Sequence, residues 1–267
     1  MNLTYPIGVF DSGLGGLNVL RELRRVLPKE DYAYLADNKN SPYGIKSKEE
    51  IVALVREAIK FFEKLPVKLI VLACNTSSAY LGILQQETKL PVLGVILPTV
   101  RASLKSGKDL AVLATAATID SGVYQNLLGE KKYLKNRKIA YLKCSEFVSA
   151  IESGLMNCRE SRRLVREKLG SLTKPDAFVL ACTHFDMYQP EILELFPEAK
   201  FVSSGKATAK AVQGFLKKNG LLSPKEEPGM VSLYITGEFE NFRKHADLLL
   251  NRQVYQKTDL SDKSLLL

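Results

Sequence analysis

Two short phrases of this chain are near-copies of each other, Leu72-Ala73-Cys74-Asn75-Thr76 and Leu180-Ala181-Cys182-Thr183-His184. Each is fed by an apolar run, residues 69–73 and 177–181, and each breaks abruptly into polar side chains. An uninterrupted apolar run of that length reads as a strand buried on both faces, as in a parallel sheet covered by helices. The polar break then marks the carboxyl end of the strand, where open α/β sheets place their ligands. A thiol there faces the N–H groups of the next helix, which are expected to favour the thiolate. Two such cysteines, at equivalent places of a possible duplication, predict chemistry that works from two sides.

The same alternation of strand and helix runs through the chain. Apolar runs at 7–10, 32–36, 69–73 and 92–96 predict the strands of a first unit. Those at 110–114, 139–142, 177–181 and 201–202 predict a second set. The clearest helix covers 47–65, where Ser47 and Glu50 form a capping-box pattern and Ile51, Leu54, Val55, Ala58, Ile59 and Phe62 follow helical spacing. The predicted fold class is therefore α/β, with mainly parallel sheets flanked by helices. Leu97-Pro98-Thr99 follows a strand and precedes a fresh helix, which puts a unit boundary there. A helix over 207–218, a strand over 231–236 and a closing helix over 238–250 bring the chain back. The expected division is 1–97 plus 207–267 for the first domain and 98–206 for the second, with 223–229 as a surface loop.

Composition narrows the function classes. No apolar run approaches the roughly 18 residues of a membrane span, and residues 1–9 lack the features of a signal peptide, so a cytoplasmic protein is expected. The four cysteines have no zinc-site spacing, and His184 and His245 are far apart in sequence, so no metal is expected. Cys144 and Cys158 lack the strand-end context and read as structural. The net charge of +9 is spread over 21–25, 131–138, 159–168 and 217–225. It reads as solvated surface rather than as a nucleic-acid face.

Other polar loops fall at strand ends. DSGLGG (residues 11–16) has glycines that let backbone N–H groups approach an anion. Its spacing is not that of a nucleotide loop. Asp11 is equally readable as a catalytic group or as a cap of the next turn. Asp37-Asn38 with Ser41-Pro42-Tyr43-Gly44 forms a second loop, a binding loop or a plain proline-glycine turn. Thr115 and Thr118 offer hydroxyls after the 110–114 strand. His184 either modulates the thiol of Cys182 or is a hydrogen-bonded structural residue.

Together DSGLGG, NSPYG (40–44), ACNTSSA (73–79), TIDSGVY (118–124), the stretch from Phe147-Val148 to Glu152-Ser153-Gly154, ACTH (181–184) and YITG (234–237) carry a resemblance. In this order they resemble glutamate racemase, of the cofactor-independent aspartate/glutamate racemase superfamily. The resemblance implies two similar α/β domains facing each other across a cleft that holds the active site. It implies that Cys74 and Cys182 are the acid/base pair, Cys74 acting on D-glutamate and Cys182 on L-glutamate. Asp11 would assist Cys74, while Glu152 and His184 would assist Cys182. Ser12, Tyr43, Gly44, Asn75, Thr76, Thr118 and Thr183 would bind substrate.

No cofactor and no metal are implied; the partner is the small molecule glutamate, and a homodimer is implied. D-glutamate would feed peptidoglycan synthesis. Thr183-His184 is the glutamate form of the second phrase, since aspartate racemases carry an acidic residue in place of that histidine. An aspartate or related amino-acid racemase remains an alternative. So does an inactive racemase-fold binding protein, against which the intact Cys74, Cys182, Asp11, Glu152 and His184 argue. The chain departs from the family pattern at Ala181, Phe185, Asp186 and Ser203, and at Ser145, Glu146 and Ser149.

Overall fold

Strands that are apolar on both faces can be hidden only inside a layered structure, and that requirement organises this chain. The computed structural model describes residues 2–130, 137–237, 239–250 and 255–257. Its first sheet contains β1 (Ile7–Asp11), β2 (Tyr32–Ala36), β3 (Leu69–Leu72), β4 (Val92–Gly94), β9 (Val231–Ile235) and β10 (Tyr255–Lys257), in the order β10-β9-β2-β1-β3-β4. Its second contains β5 (Asp109–Ala114), β6 (Lys138–Lys143), β7 (Ala177–Ala181) and β8 (Lys200–Ser203), in the order β6-β5-β7-β8. Every pairing is parallel. All residues of β1, β2, β3 and β7 are buried, as their composition demands.

Helices cover both sheets. The helix Lys48–Lys64 starts at the expected capping box: Ser47 Oγ accepts from Glu50 N at 3.3 Å, and Glu50 Oε2 accepts from Ser47 N at 2.8 Å. Its face of Ile51, Val55, Ala58, Ile59 and Phe62 packs in one buried cluster with Phe10, Ile70 and Leu72. The helix Ser204–Lys218 packs on Gly16–Val26 and on Ile96–Ser103. The chain then rejoins the first sheet, where Val231 pairs with Tyr32.

Some boundaries differ from the sequence expectation. The run 92–96 is not one strand, because β4 stops at Gly94 and a helix begins at Ile96. Val95 and Ile96 are apolar because both are buried at that junction. Pro98 lies in the helix's first turn, where a missing N–H costs no hydrogen bond. The helix expected at 207–218 starts three residues earlier, at Ser204. Glu238, the basic residues 131–136 and the tail 258–267 lie outside the described residues. Among the described residues no helix is long and apolar enough to cross a membrane.

One buried ion pair locks the base of the first sheet. Lys68 is fully buried; its Nζ sits 2.5 Å from Glu30 Oε2 and donates to Leu3 O at 2.6 Å. Glu30 Oε1 accepts from Ser223 N at 2.8 Å, tying in the loop that precedes β9. Lys68→Met is expected to lower stability by about 3–5 kcal/mol, because it strands a buried carboxylate. Urea melts measure this, and the double variant Lys68→Met/Glu30→Gln should recover much of the loss. An unchanged melt for the single variant would contradict the pair's role.

Candidate active site

The strands deliver their polar residues to one place. β1 ends in Asp11, which is fully buried, and the turn Ser12-Gly13-Leu14-Gly15 leads into the helix Gly16–Val26. β3 is followed by Cys74 and the helical turn Asn75–Ser78; β7 is followed by Cys182, Thr183 and His184. Both thiols, from different sheets, line one cavity together with Ser12, Tyr43, Gly44, Asn75, Thr76, Thr183 and His184. Asp11, Glu152 and Thr118 stand behind this lining rather than in it. The cavity measures about 20 Å³, the room of a single water.

Hydrogen bonds cross between the walls: Thr183 Oγ1 donates to Asp11 Oδ1 at 3.4 Å, and Asn18 Nδ2 donates to the carbonyl of Thr183 at 3.0 Å. Within its own turn, Asp11 Oδ2 accepts from Gly13 N at 3.0 Å. The hydroxyls of Thr76, Thr115 and Thr118 form a triangle with sides of 2.9–3.1 Å. Asn75 is held from both ends: Tyr124 OH donates to its Oδ1 at 2.8 Å, and its Nδ2 donates to Ser204 Oγ at 3.3 Å. Two glycines make the close approach possible. A Cβ on Gly15 would lie 2.5 Å from Thr183 Oγ1 and 2.6 Å from His184 Nδ1. A Cβ on Gly16 would lie 2.4 Å from Asp11 Cβ.

Each thiol has its own partners. Ser12 Oγ lies 3.6 Å from Cys74 Sγ. His184 Nδ1 lies 3.8 Å from Cys182 Sγ, and His184 Nε2 lies 3.5 Å from Glu152 Oε1. Ser41 Oγ donates to that same Glu152 oxygen at 3.0 Å. Tyr43 is placed differently from a simple substrate donor. Its hydroxyl is committed to Asp37 Oδ2 at 2.6 Å, and Asp37 also accepts from Asn40 and Thr236.

The electrostatics correct one sequence expectation. Burial pushes the Cys74 thiol up, and the charge of Asp11 adds to this; bonds from Ser77 and Ser12 oppose them. Burial pushes Cys182 well above the ordinary value, against a single backbone bond from His184. The anticipated helix ends are only a four-residue turn, Asn75–Ser78, and a 3₁₀ turn, Phe185–Tyr188. Turns this short offer few aligned N–H groups, so desolvation wins. Burial also raises Asp11 to about 6. For Glu152 burial acts upward too, but the bond and charge of His184 and the bond from Ser41 leave it below the usual carboxylate value.

Two of the departures from the family pattern, Asp186 and Ser203, explain each other. Ser203 Oγ donates to Asp186 Oδ2 at 2.8 Å, and Gln189 Nε2 donates to Asp186 Oδ1 at 2.8 Å. Phe185 packs edge-on against Phe147, with ring centroids 5.5 Å apart. Ser145 Oγ accepts from Ala116 N at 2.8 Å and lines the cavity. Asn18 and Ser204 are support residues that sequence reasoning did not single out, while Ser41, Tyr124, Ser145 and Val148 stood in phrases it named without a role of their own. Only Asn18 carried a local signal, being a buried amide between Leu17 and Val19 on the packed side of a helix.

A family model described as Asp/Glu/Hydantoin racemase matches residues 7–212. A curated relative from Carboxydothermus hydrogenoformans, named glutamate racemase, is 38% identical over 259 residues, covering 95% of this chain and 96% of its own. The crystal structure of a glutamate racemase isoform from Bacillus anthracis superposes with a TM-score of 0.89 at 32% identity, covering 97% of this chain and 99% of its own. A glutamate racemase from Francisella tularensis in complex with D-glutamate gives a TM-score of 0.87 at 29% identity, over 98% of this chain and 100% of its own.

Proposed function

The chain belongs to the Asp/Glu/hydantoin racemase family, and from that premise we propose that it interconverts L- and D-glutamate by two-base proton transfer through Cys74 and Cys182. The observation that carries the mechanism is that two thiols, brought by strands of different sheets, share one cavity, with Ser12 Oγ 3.6 Å from Cys74 Sγ and His184 Nδ1 3.8 Å from Cys182 Sγ. A racemase must remove the α-proton from one face of the carbon and deliver a proton to the other. With a thiol on each wall neither group has to cross the substrate, and the roles exchange with the enantiomer.

The catalytic roles follow from this placement. One sulfur starts as thiolate and the other as thiol. Both are pushed toward the thiol by burial, so a thiolate needs a proton acceptor and nearby positive charge. Asp11, whose charge acts on the Cys74 thiol, is taken as the acceptor on that side from the family resemblance. His184, backed by Glu152, takes and returns the proton of Cys182 at Nδ1. The ammonium of the substrate supplies positive charge, because no Lys or Arg lines the cavity. Its carboxylates are held by neutral donors: Ser12, Asn75, Thr76 and Thr183, with backbone N–H of the Tyr43-Gly44 loop. Charge developing at the α-carbon is then stabilised by groups already in place.

A cavity of about 20 Å³ does not admit glutamate, so the walls part and close again around it. The moving units are taken as 1–97 with 207–267 and 98–206. The same reading carries a cytoplasmic homodimer whose D-glutamate feeds peptidoglycan synthesis; what the relatives are named supports the glutamate activity.

The test is chiral chromatography of L-glutamate, D-glutamate and both aspartates with purified protein and no additive. Equal final amounts of the two glutamates, with aspartate left unchanged, are expected. Activity that requires pyridoxal phosphate, that dies on EDTA treatment, or that prefers aspartate would overturn the reading.

A further inference from the structure

We infer that Ser41 is a positioning residue for this reaction, holding the Glu152 carboxylate on His184 when the two walls of the cavity meet; the inference rests on the reading of Cys182 as one of the two bases. Glu152 is the last residue of the helix Ser145–Glu152, where the helix dipole disfavours a negative charge, and no basic residue stands in that last turn. Its own helix therefore gives the carboxylate no support. His184 supplies part of it, but at 3.5 Å the contact between Nε2 and Oε1 is long. Ser41 donates to that same oxygen at 3.0 Å. The hydroxyl thereby fixes the one carboxylate atom that faces the imidazole.

The donor comes from the opposite wall. Ser41 lies in the loop between β2 and the helix Lys48–Lys64, and Asp37 pins that loop on either side of it by accepting from Asn40 and from Tyr43. Ser41 N also donates to Asn38 O at 3.3 Å. Gly13 lies beside the pair: a Cβ there would stand 3.4 Å from both Glu152 Oε1 and Ser41 Oγ, an ordinary contact. The ionisable groups coupled to this chain are His184, Cys182, Asp11 and Cys74, and of these His184 is the one at ion-pair distance from Glu152. When the walls part for glutamate, Ser41 withdraws from Glu152. Closure restores the bond that the two walls make here when they are together.

The test compares Ser41→Ala with Ser41→Thr, which keeps a donor hydroxyl. The Glu152 carboxyl titration is followed by carbon-13 NMR in substrate-free protein, its signal identified by its loss in Glu152→Gln; kcat and KM are measured for both glutamates. In Ser41→Ala the titration should move upward and kcat should fall about fivefold to thirtyfold, which corresponds to about 1–2 kcal/mol, the low end for a hydrogen bond to a charged group that is partly open to water. KM should stay within about twofold, as for a group that acts through another residue rather than on the substrate. Ser41→Thr should restore both readouts. An unmoved titration in Ser41→Ala overturns the inference whatever the activity. A moved titration with unchanged kcat overturns the catalytic role. Wild-type protein inert on both glutamates overturns the racemase reading itself, even where the titration still moves.

Discussion

Alanine in place of Cys74 or of Cys182 is expected to stop interconversion of the two glutamates, lowering kcat by about 10³-fold or more, because one face of the α-carbon loses its proton-handling group. The two losses should be distinguishable by isotope exchange in deuterated water. With Cys74 removed, Cys182 can still take the α-proton of L-glutamate and return a deuteron to the same face. Exchange into L-glutamate without inversion should persist in Cys74→Ala, and exchange into D-glutamate should persist in Cys182→Ala. Cys144→Ala and Cys158→Ala should leave turnover within about twofold, as substitutions away from a site usually do. Neither residue lines the cavity; Cys144 is buried beside its own strand, its Sγ 3.7 Å from Leu142 O. Equal loss at all four positions would point to folding, and identical exchange patterns in the two active-site variants would sink the assignment of one base per face.

Asp11→Asn should make the protein more stable at neutral pH while making it a poorer catalyst. Asp11 is fully buried, and burial raises its carboxyl from 3.8 to about 6. The folded state thus holds the proton more tightly than the unfolded chain does. Such a group contributes stability below pH 4, and that contribution is lost as the pH rises through about 6. Above that point the buried carboxylate costs on the order of 3 kcal/mol relative to an exposed one. Asparagine is neutral and can keep the bond from Gly13 N through its amide oxygen. Urea melts should show the variant more stable by about 1–3 kcal/mol at pH 8, with the gain shrinking between pH 6 and 4 and gone below that. kcat should fall by about 10²-fold, since the carboxylate serving Cys74 is gone. A stability gain independent of pH would refute the buried-charge argument; full activity in the variant would remove Asp11 from the reaction.

The layered α/β fold and the residues that stand at strand ends are legible in the amino-acid pattern alone. That information is local: apolar runs of strand length must be buried, and the residue where a run breaks is where the sheet ends. Asp11, Cys74, Thr115 and Cys182 were legible for that reason, as was the capping box at Ser47 and Glu50. The strand ends blurred where an apolar residue had a second use, as at Val95 and Ile96, which are buried in a helix start rather than in β4.

Tertiary structure decided the rest, because it depends on pairs distant in the chain. Asp186 and Ser203 read separately as departures, and only folding makes them partners. Ser41 read as part of a binding loop or of a plain turn, and only the second wall sets Glu152 against it. The proton affinities were decided the same way. A helix end after Cys74 or Cys182 can be read from the sequence, and it argues for the thiolate. Whether it prevails depends on how much water the opposite wall excludes, and here the walls meet so closely that desolvation outweighs the few N–H groups the short turns provide.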